Sequence, residues 1–275
     1  MWRNFVICGT AYPHSVAMDK LTLFLRNVRK KDLEITERFL GNSPFHSAFW
    51  ARRQLRSAVK EAAIYGRGSL LDAGCGLRPY EGYFKDRVKS YLGLDYAPDS
   101  GYLGNKADIY GNIKNLPFKN NSFDTILCSE VLEHIDATDT AINEFYRVIK
   151  NGGNIIVTSP FIYPLHGGGE DFFRFTKKGL IAILERHNFK VLGSKAICGP
   201  AKTIAVLFNI SFYEELFLYN RFLYFLGILI RPLLWLIVFL INVTAGIFEI
   251  VIKADQSIYF NSLIVAEARD KADYA

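Results

Sequence analysis

The stretch LLDAGCGLRPY, residues 70–80, sets an acidic residue and two closely spaced glycines at the end of a short apolar run. Gly74 and Gly76 let the backbone turn sharply and approach a ligand with no Cβ in the way, and a following helix start offers N–H groups to it. Asp95, in GLDY, comes about 20 residues after the turn, the spacing at which a carboxylate meets the ribose hydroxyls of a bound nucleoside. Asp72 adds a second carboxylate, suited to a cationic or amino-bearing cofactor. The dinucleotide fingerprint GxGxxG needs glycine at position 79, where this chain has Pro79, so NAD fits less well. A second cluster lies in PFIYPLHGGGEDFFRFTKKGL, where three glycines surround His166, Glu170, Asp171 and Arg174. Imidazoles and carboxylates are the side chains that most often move protons.

Alternating elements must hold these residues. SLLDAGC, SYLGLDY, SFDTILCSE and NIIVTSPF read as strands, and DTAINEFYRVIKNGG reads as a helix ending at Lys150 and a glycine pair. TKKGLIAILERHNF is a further helix, KVLGSKAI a strand, and SIYFNSLIVAEARD a last strand. The alternation predicts an α/β fold, a doubly wound, mostly parallel, Rossmann-like sheet covered on both faces. Residues 1–66 are expected to form an N-terminal helical cap, with Arg52, Arg53 and Arg56 on a solvated face. The core then runs over 67–199, an apolar helical insertion over 200–256, and the final strand with its tail over 257–275.

Together, LLDAGCG, GLDY, ADIYGNIKNLPFKNNSFDTILCSEVLEHI and EFYRVIKNGGNIIVTSPF resemble the class I S-adenosylmethionine-dependent methyltransferases in order and spacing. Within them the chain is most similar to the type 11-like branch of small-molecule and polysaccharide-cluster enzymes. The resemblance spans residues 65–195 and returns for the last strand. It implies S-adenosylmethionine as cofactor, with Asp72, Gly74, Cys75 and Gly76 on its methionine side and Asp95, followed by Tyr96, at the ribose. Asp108 and Ile109 would flank the adenine, and Glu130 would close the site below the sulfonium. The chain departs from the pattern at Arg78, where many members carry a third glycine.

Methyl transfer is an in-line displacement at a sulfonium carbon, so alignment of the acceptor carries much of the catalysis. A hydroxyl acceptor must also lose a proton, and His166 is the expected base, with Asp171 or Glu170 orienting it. The alternative is that Asp171 and Arg174 pair to cap a helix at Thr176 while His166 lines the loop. Tyr163 would shape the pocket. Asp124 is expected to support a strand, His134 to end a short helix, and Cys128 to lie in the core. No metal-ligand cluster is evident from the sequence.

The run from Phe222 to Ile252 is apolar enough for a bilayer, but the resemblance implies that the strand that follows it rejoins the sheet, which excludes an odd number of crossings. Arg231 and Pro232 split the run into helices expected at 217–230 and 232–252. Tyr219, Phe222, Tyr224, Phe225 and Trp235, with Arg221 and Arg231, favour a surface lying on lipid over 217–252; a dry core or dimer contact is the alternative. Across 275 residues the net charge is +6 with the basic residues dispersed, which speaks against nucleic acid. The four cysteines show no zinc spacing and read as reduced, buried thiols. A cytoplasmic protein, peripheral on the inner membrane face, is expected.

These features point to O-methylation of a sugar or lipid-linked glycan hydroxyl. An isoprenoid or quinone-like acceptor is the nearest alternative. A catalytically silent membrane-associated binding protein and an NAD-dependent oxidoreductase remain as rivals, and the oligomeric state stays open.

Overall fold

The computed structural model describes residues 39–96, 106–166, 170–219, 223–251 and 257–270, together with Val28, Lys31 and Thr36. Most of the first predicted helix, and the three glycines after His166, lie outside these residues. The strands are β1 (Ser69–Ala73), β2 (Ser90–Asp95), β3 (Ile109–Tyr110), β4 (Phe123–Ser129), β5 (Ile149–Pro160), β6 (Phe189–Ile197) and β7 (Asn261–Ala268). They form one sheet in the order β3-β2-β1-β4-β5-β7-β6. Only β7 runs antiparallel, wedged between β5 and β6.

Near-continuous apolar strands follow from burial on both faces. Leu70, Leu127, Ile156 and Val265 turn to one face, where Leu55, Ala58, Val59 and Ala62 of α1 (Phe49–Ala62) cover them, with Phe84 from the short α2 (Glu81–Phe84). Their neighbours Leu71, Ile126, Ile155 and Ile264 turn to the other, against Phe145 of α3 (Thr138–Val148) and Leu180 and Leu184 of α4 (Lys177–Arg186). Helix α1, from the end of the expected cap, is thus a layer of the core.

Two local expectations are corrected. Helix α3 ends at Val148, and Lys150 with both glycines belongs to β5. Ile149, fully buried and paired with Phe123, gains more as a strand residue, while Gly152 at φ 68° absorbs the bulge between these strands. Arg52 is buried rather than solvated and donates to the Gly41 carbonyl at 3.1 Å. Arg53 stays exposed, as expected.

The apolar insertion consists of α5 (Pro200–Asn209), a π-helical stretch (Ile210–Tyr219), α6 (Tyr224–Leu229) and α7 (Arg231–Val251). It leaves the sheet after Ile197 and returns at Asn261, and those two residues are paired neighbours. Departure and return therefore share one point at the carboxyl edge of β5, where Pro160 also pairs with Asn261. A single crossing is excluded, although α7, with 21 residues and mean hydropathy 2.2, is long and apolar enough to cross.

One stripe of α7 is fixed to the protein by polar contacts. Asn242, fully buried, donates to the Pro44 and His46 carbonyls at 2.7 and 3.1 Å and accepts from Asn209 at 3.1 Å. Its own carbonyl accepts from Trp50 Nε1 at 2.8 Å. Glu249 accepts from the Gly199 and Lys202 amides, capping the start of α5, and pairs with Lys202 Nζ at 3.0 Å. The opposite stripe, Leu233, Leu236, Leu240, Ile247 and Ile250, is exposed and carries no charge.

Candidate active site

The glycine turn follows β1 at the carboxyl edge of the sheet. Gly74 and Cys75 donate their amides to the Leu94 carbonyl, tying the turn to the end of β2. Gly74 sits at φ 79°, and a Cβ there would lie 2.3 Å from Val131, so only glycine allows the turn to pack on the loop after β4. Asp95 closes the loop: its Oδ2 accepts from the Gly76 amide at 2.7 Å and its Oδ1 from the Tyr96 amide at 2.8 Å. Each carboxylate oxygen has two lone pairs, so the pair can still accept two hydroxyls. Tyr96 is half exposed beside it.

Asp108 accepts from the Gly93 amide at 2.8 Å and is ion-paired with Arg78, which holds its carboxyl below the usual range, the backbone bond being the larger cause. Ile109 begins β3 and packs against the core. Arg78 itself has φ 55°, which explains why glycine suits this position. Its guanidinium lies 5.9 Å from the Tyr91 ring and would block a side chain at Gly93. Sequence reasoning registered Arg78 only as a departure; its positive φ and its pairing with Asp108 place it beside the Gly93 backbone at the edge of the turn.

Asp72 is buried, with its carboxylate hydrogen-bonded by the Tyr91 hydroxyl. Burial pushes its pKa up to about 7. A folded pKa above the ordinary 3.8 means that stability is full below that value and is lost as pH rises towards 7. Asp72→Asn, neutral at every pH, is therefore expected to gain on the wild type by up to about 4 kcal/mol between pH 4 and 8. Urea denaturation across that range measures it, and parallel curves would contradict it.

Glu130 and Glu133 extend from the loop after β4, and burial raises the pKa of both. Glu130, at φ 57°, accepts from Thr158 Oγ1 at 2.8 Å and Asn261 Nδ2 at 2.7 Å, so it joins the loop to β5 and β7. Glu133 Oε2 accepts from Ser159 at 3.4 Å, while Oε1 has no hydrogen-bond partner.

The second cluster meets this loop. Asp171 Oδ2 accepts from the His166 amide at 2.8 Å and stands 3.2 Å from His166 Nδ1. Arg174 grips both oxygens of Asp171 and also donates to the Pro164 carbonyl at 3.1 Å. Those two acceptors use both protons of Arg174 Nη2, so its 3.4 Å approach to His166 Nδ1 is no hydrogen bond. The proton of His166 consequently sits on Nδ1, facing Asp171, and the lone pair on Nε2. Burial, helped by the neighbouring His134, pushes the His166 pKa down to about 4. Burial tends to raise the Asp171 pKa, but the bonds from Arg174 and the His166 amide, together with the charge of Arg174, outweigh it and hold the carboxyl below its usual range.

Asp171 therefore orients His166. The exposed Glu170 contributes its carbonyl, which binds His134 Nδ1. The expected Asp171–Arg174 pair exists beside this contact, while the start of α4 is capped by Thr176, whose Oγ1 accepts from the Gly179 amide at 3.0 Å. His134 does end a short 3₁₀ turn, yet its ring also stacks edge-on with His166 at 4.7 Å. Nothing local in the sequence signals that contact. Tyr163 packs edge-on against both His166 and Phe260, linking the cluster to the end of the apolar insertion. Asp124 is structural, binding the Ser69 amide and Lys150, and Cys75, Cys128 and Cys198 are free and buried.

Residues 71–157 match the family model described as a methyltransferase domain. That stretch, from β1 into β5, carries a methyltransferase domain. An uncharacterized protein of Methanocaldococcus jannaschii is 39% identical over 88 residues, 32% of this chain and 39% of that one. The ubiquinone/menaquinone biosynthesis C-methyltransferase of Vibrio cholerae is 36% identical over 77 residues, 27% and 30% of the two chains. That of Salmonella arizonae is 26% identical over 135 residues, 47% and 54%. The chain thus spans little more than half, at most, of these relatives' length. In fold, the methyltransferase domain and its flanking layers resemble the [4+2]-cyclase SpnF, with TM-score 0.50, 19% identity and coverage of 78% and 80%. A chain from the complex of the Haloferax volcanii Trm112 methyltransferase activator is equally similar, with TM-score 0.50, 15% identity and coverage of 88% and 98%.

Proposed function

We propose that the protein transfers a methyl group from S-adenosylmethionine to a hydroxyl of a sugar or lipid-linked glycan. The observation that carries the cofactor reading is Asp95: one carboxylate holds the glycine loop shut and keeps two lone pairs for vicinal hydroxyls. The donor set fits this cofactor. Asp72 is a buried carboxylate on the methionine side that an ammonium group would stabilise, and Asp108 sits where an exocyclic amine could donate. When bound, the cofactor supplies an electrophilic methyl on a sulfonium.

The chain's own residues act on the acceptor. Glu133, His134, His166 and Asp171 form its polar wall at the carboxyl edge, beyond the loop that packs on Gly74. A bound donor would supply the methyl carbon, its sulfur keeping the electron pair of the broken C–S bond as the acceptor oxygen bonds to that carbon, while the hydroxyl's proton would pass by way of His166 Nε2 to solvent. His166, kept neutral by burial, accepts the hydroxyl's hydrogen bond and aligns its oxygen.

An acceptor on a greasy carrier suits the insertion, which returns to the sheet beside this wall through Phe260 and Tyr163. Its outer stripe is apolar and uncharged: Arg231 and Glu249 are the charged residues of α7, and Glu249 is turned inward. Such a face fits the acyl boundary of a membrane better than a soluble partner with a polar rim. A quinone-like acceptor is the second reading, favoured by the likeness to the C-methyltransferases, although that likeness covers 77 residues, 27% of this chain.

One experiment separates these readings. The protein is incubated with methyl-labelled S-adenosylmethionine and vesicles of membrane lipid extract, then floated. Protein and label are expected together in the lipid layer, with the label on a glycan oxygen. Label on a ring carbon selects the quinone-like acceptor, and label-free lipid with the protein left in the soluble fraction overturns the lipid-linked reading.

A further inference from the structure

Three side chains at the acceptor wall converge in a way that methyl transfer alone does not require. The ligand-capable atoms of Glu133, His134 and His166 lie within 4.8 Å of one another. His134 Nε2 is 3.8 Å from Glu133 Oε1, which is fully buried and has no hydrogen-bond partner. A buried carboxylate oxygen left in this state is costly unless something binds it.

Both imidazoles are oriented from behind. His134 Nδ1 meets the Glu170 carbonyl, an acceptor only, so it carries the proton and leaves the lone pair on Nε2. His166 Nδ1 faces Asp171, with the same result. A ring nitrogen held by a carbonyl or carboxylate while the other presents a lone pair is the arrangement of metal-ligating histidines. Asp171 is in turn fixed by Arg174.

We propose that Glu133, His134 and His166 bind one divalent transition-metal cation of the zinc type. Two neutral imidazoles and one carboxylate form a three-ligand set with the fourth position open, whereas magnesium prefers oxygen ligands in octahedral geometry. Ligand atoms around such an ion stand about 3.3 Å apart at bonds of about 2.05 Å, so the three groups draw together by about 1 Å on binding. The partly exposed His134, with 26% of its side chain accessible, provides the entry path and the freedom to move. The fourth position faces the acceptor side. A hydroxyl oxygen bound there would lose its proton to water more readily. The cation thereby supplies the acidity, and His166 becomes its ligand.

The test uses the full chain, dialysed against chelator and titrated with Co²⁺, with neither cofactor nor acceptor present, so it stands or falls apart from methyl transfer. Saturation at about one ion per chain with the visible bands of a four-coordinate ion is expected, reversed by Zn²⁺. Glu133→Gln and His134→Ala should each weaken binding about 100-fold, and Asp171→Asn, behind His166, about tenfold. Circular dichroism confirms that each variant is folded, and the near-isosteric Glu133→Gln stands as the test if the others unfold. No saturable binding, or binding that Glu133→Gln and His134→Ala leave unchanged, overturns the proposal.

Discussion

Asp95→Asn is expected to weaken S-adenosylmethionine binding by about 100-fold. Two charge-assisted hydrogen bonds from ribose hydroxyls contribute about 1.5–3 kcal/mol each, and losing most of that amounts to about 3 kcal/mol. The amide also presents a donor where Asp95 Oδ2 now accepts from Gly76, so the loop loses its latch together with its ligand. Isothermal titration with S-adenosylmethionine and S-adenosylhomocysteine reads the effect, with urea denaturation to show that the fold persists. Affinity within about threefold of wild type would remove the glycine turn and Asp95 from the cofactor site. Asp95 is a cleaner probe than Gly74, where any side chain collides with Val131 and reports on folding first. A wild-type chain that binds no sulfonium cofactor would favour a silent relative of the fold, and nicotinamide-linked absorbance changes would favour an oxidoreductase.

The glycine turn and the carboxylate that closes it were legible because their constraints are local. A turn that needs Gly74 and an acidic residue closing it at the next strand leave a spacing that can be read without a structure. The return of β7 was equally legible, since the family resemblance resumes at that strand and implies that it completes the sheet. The split of the insertion was found at Ile230 and Arg231, because an arginine followed by proline interrupts an apolar run wherever it lies. Distant contacts were not legible. The end of α3 was misplaced because Lys-Asn-Gly-Gly normally terminates a helix, while Ile149 is claimed by pairing with Phe123. Arg52 looked solvated because its partner, the Gly41 carbonyl, precedes the helix. His134 looked like a helix end because its neighbour His166 lies in another loop, and only the fold brings the rings together. The acceptor wall is made of such contacts, which is why its chemistry emerges from geometry and not from spacing.

His166→Ala is expected to lower turnover about 100-fold while leaving cofactor affinity unchanged, because it removes a group from the acceptor wall and none from the glycine loop. Asp171→Asn should lower it less, since the His166 ring is then held only by packing against Tyr163 and His134. The pH profile carries a sharper expectation. An ordinary histidine titrates near 6.5, but burial brings His166 to about 4, so its lone pair is present throughout the neutral range. The acid limb of kcat/KM assigned to His166 should therefore fall near pH 4, with no break near 6.5, and should vanish in His166→Ala. A limb near 6.5 would mean that His166 is solvated when the enzyme works, and unchanged turnover in His166→Ala would take it out of the acceptor wall. Whether the lone pair serves the hydroxyl directly or through a bound cation then depends on one comparison. If chelation lowers wild-type turnover to the level of His166→Ala, the imidazole acts as a ligand; if chelation changes nothing, it acts on the hydroxyl itself.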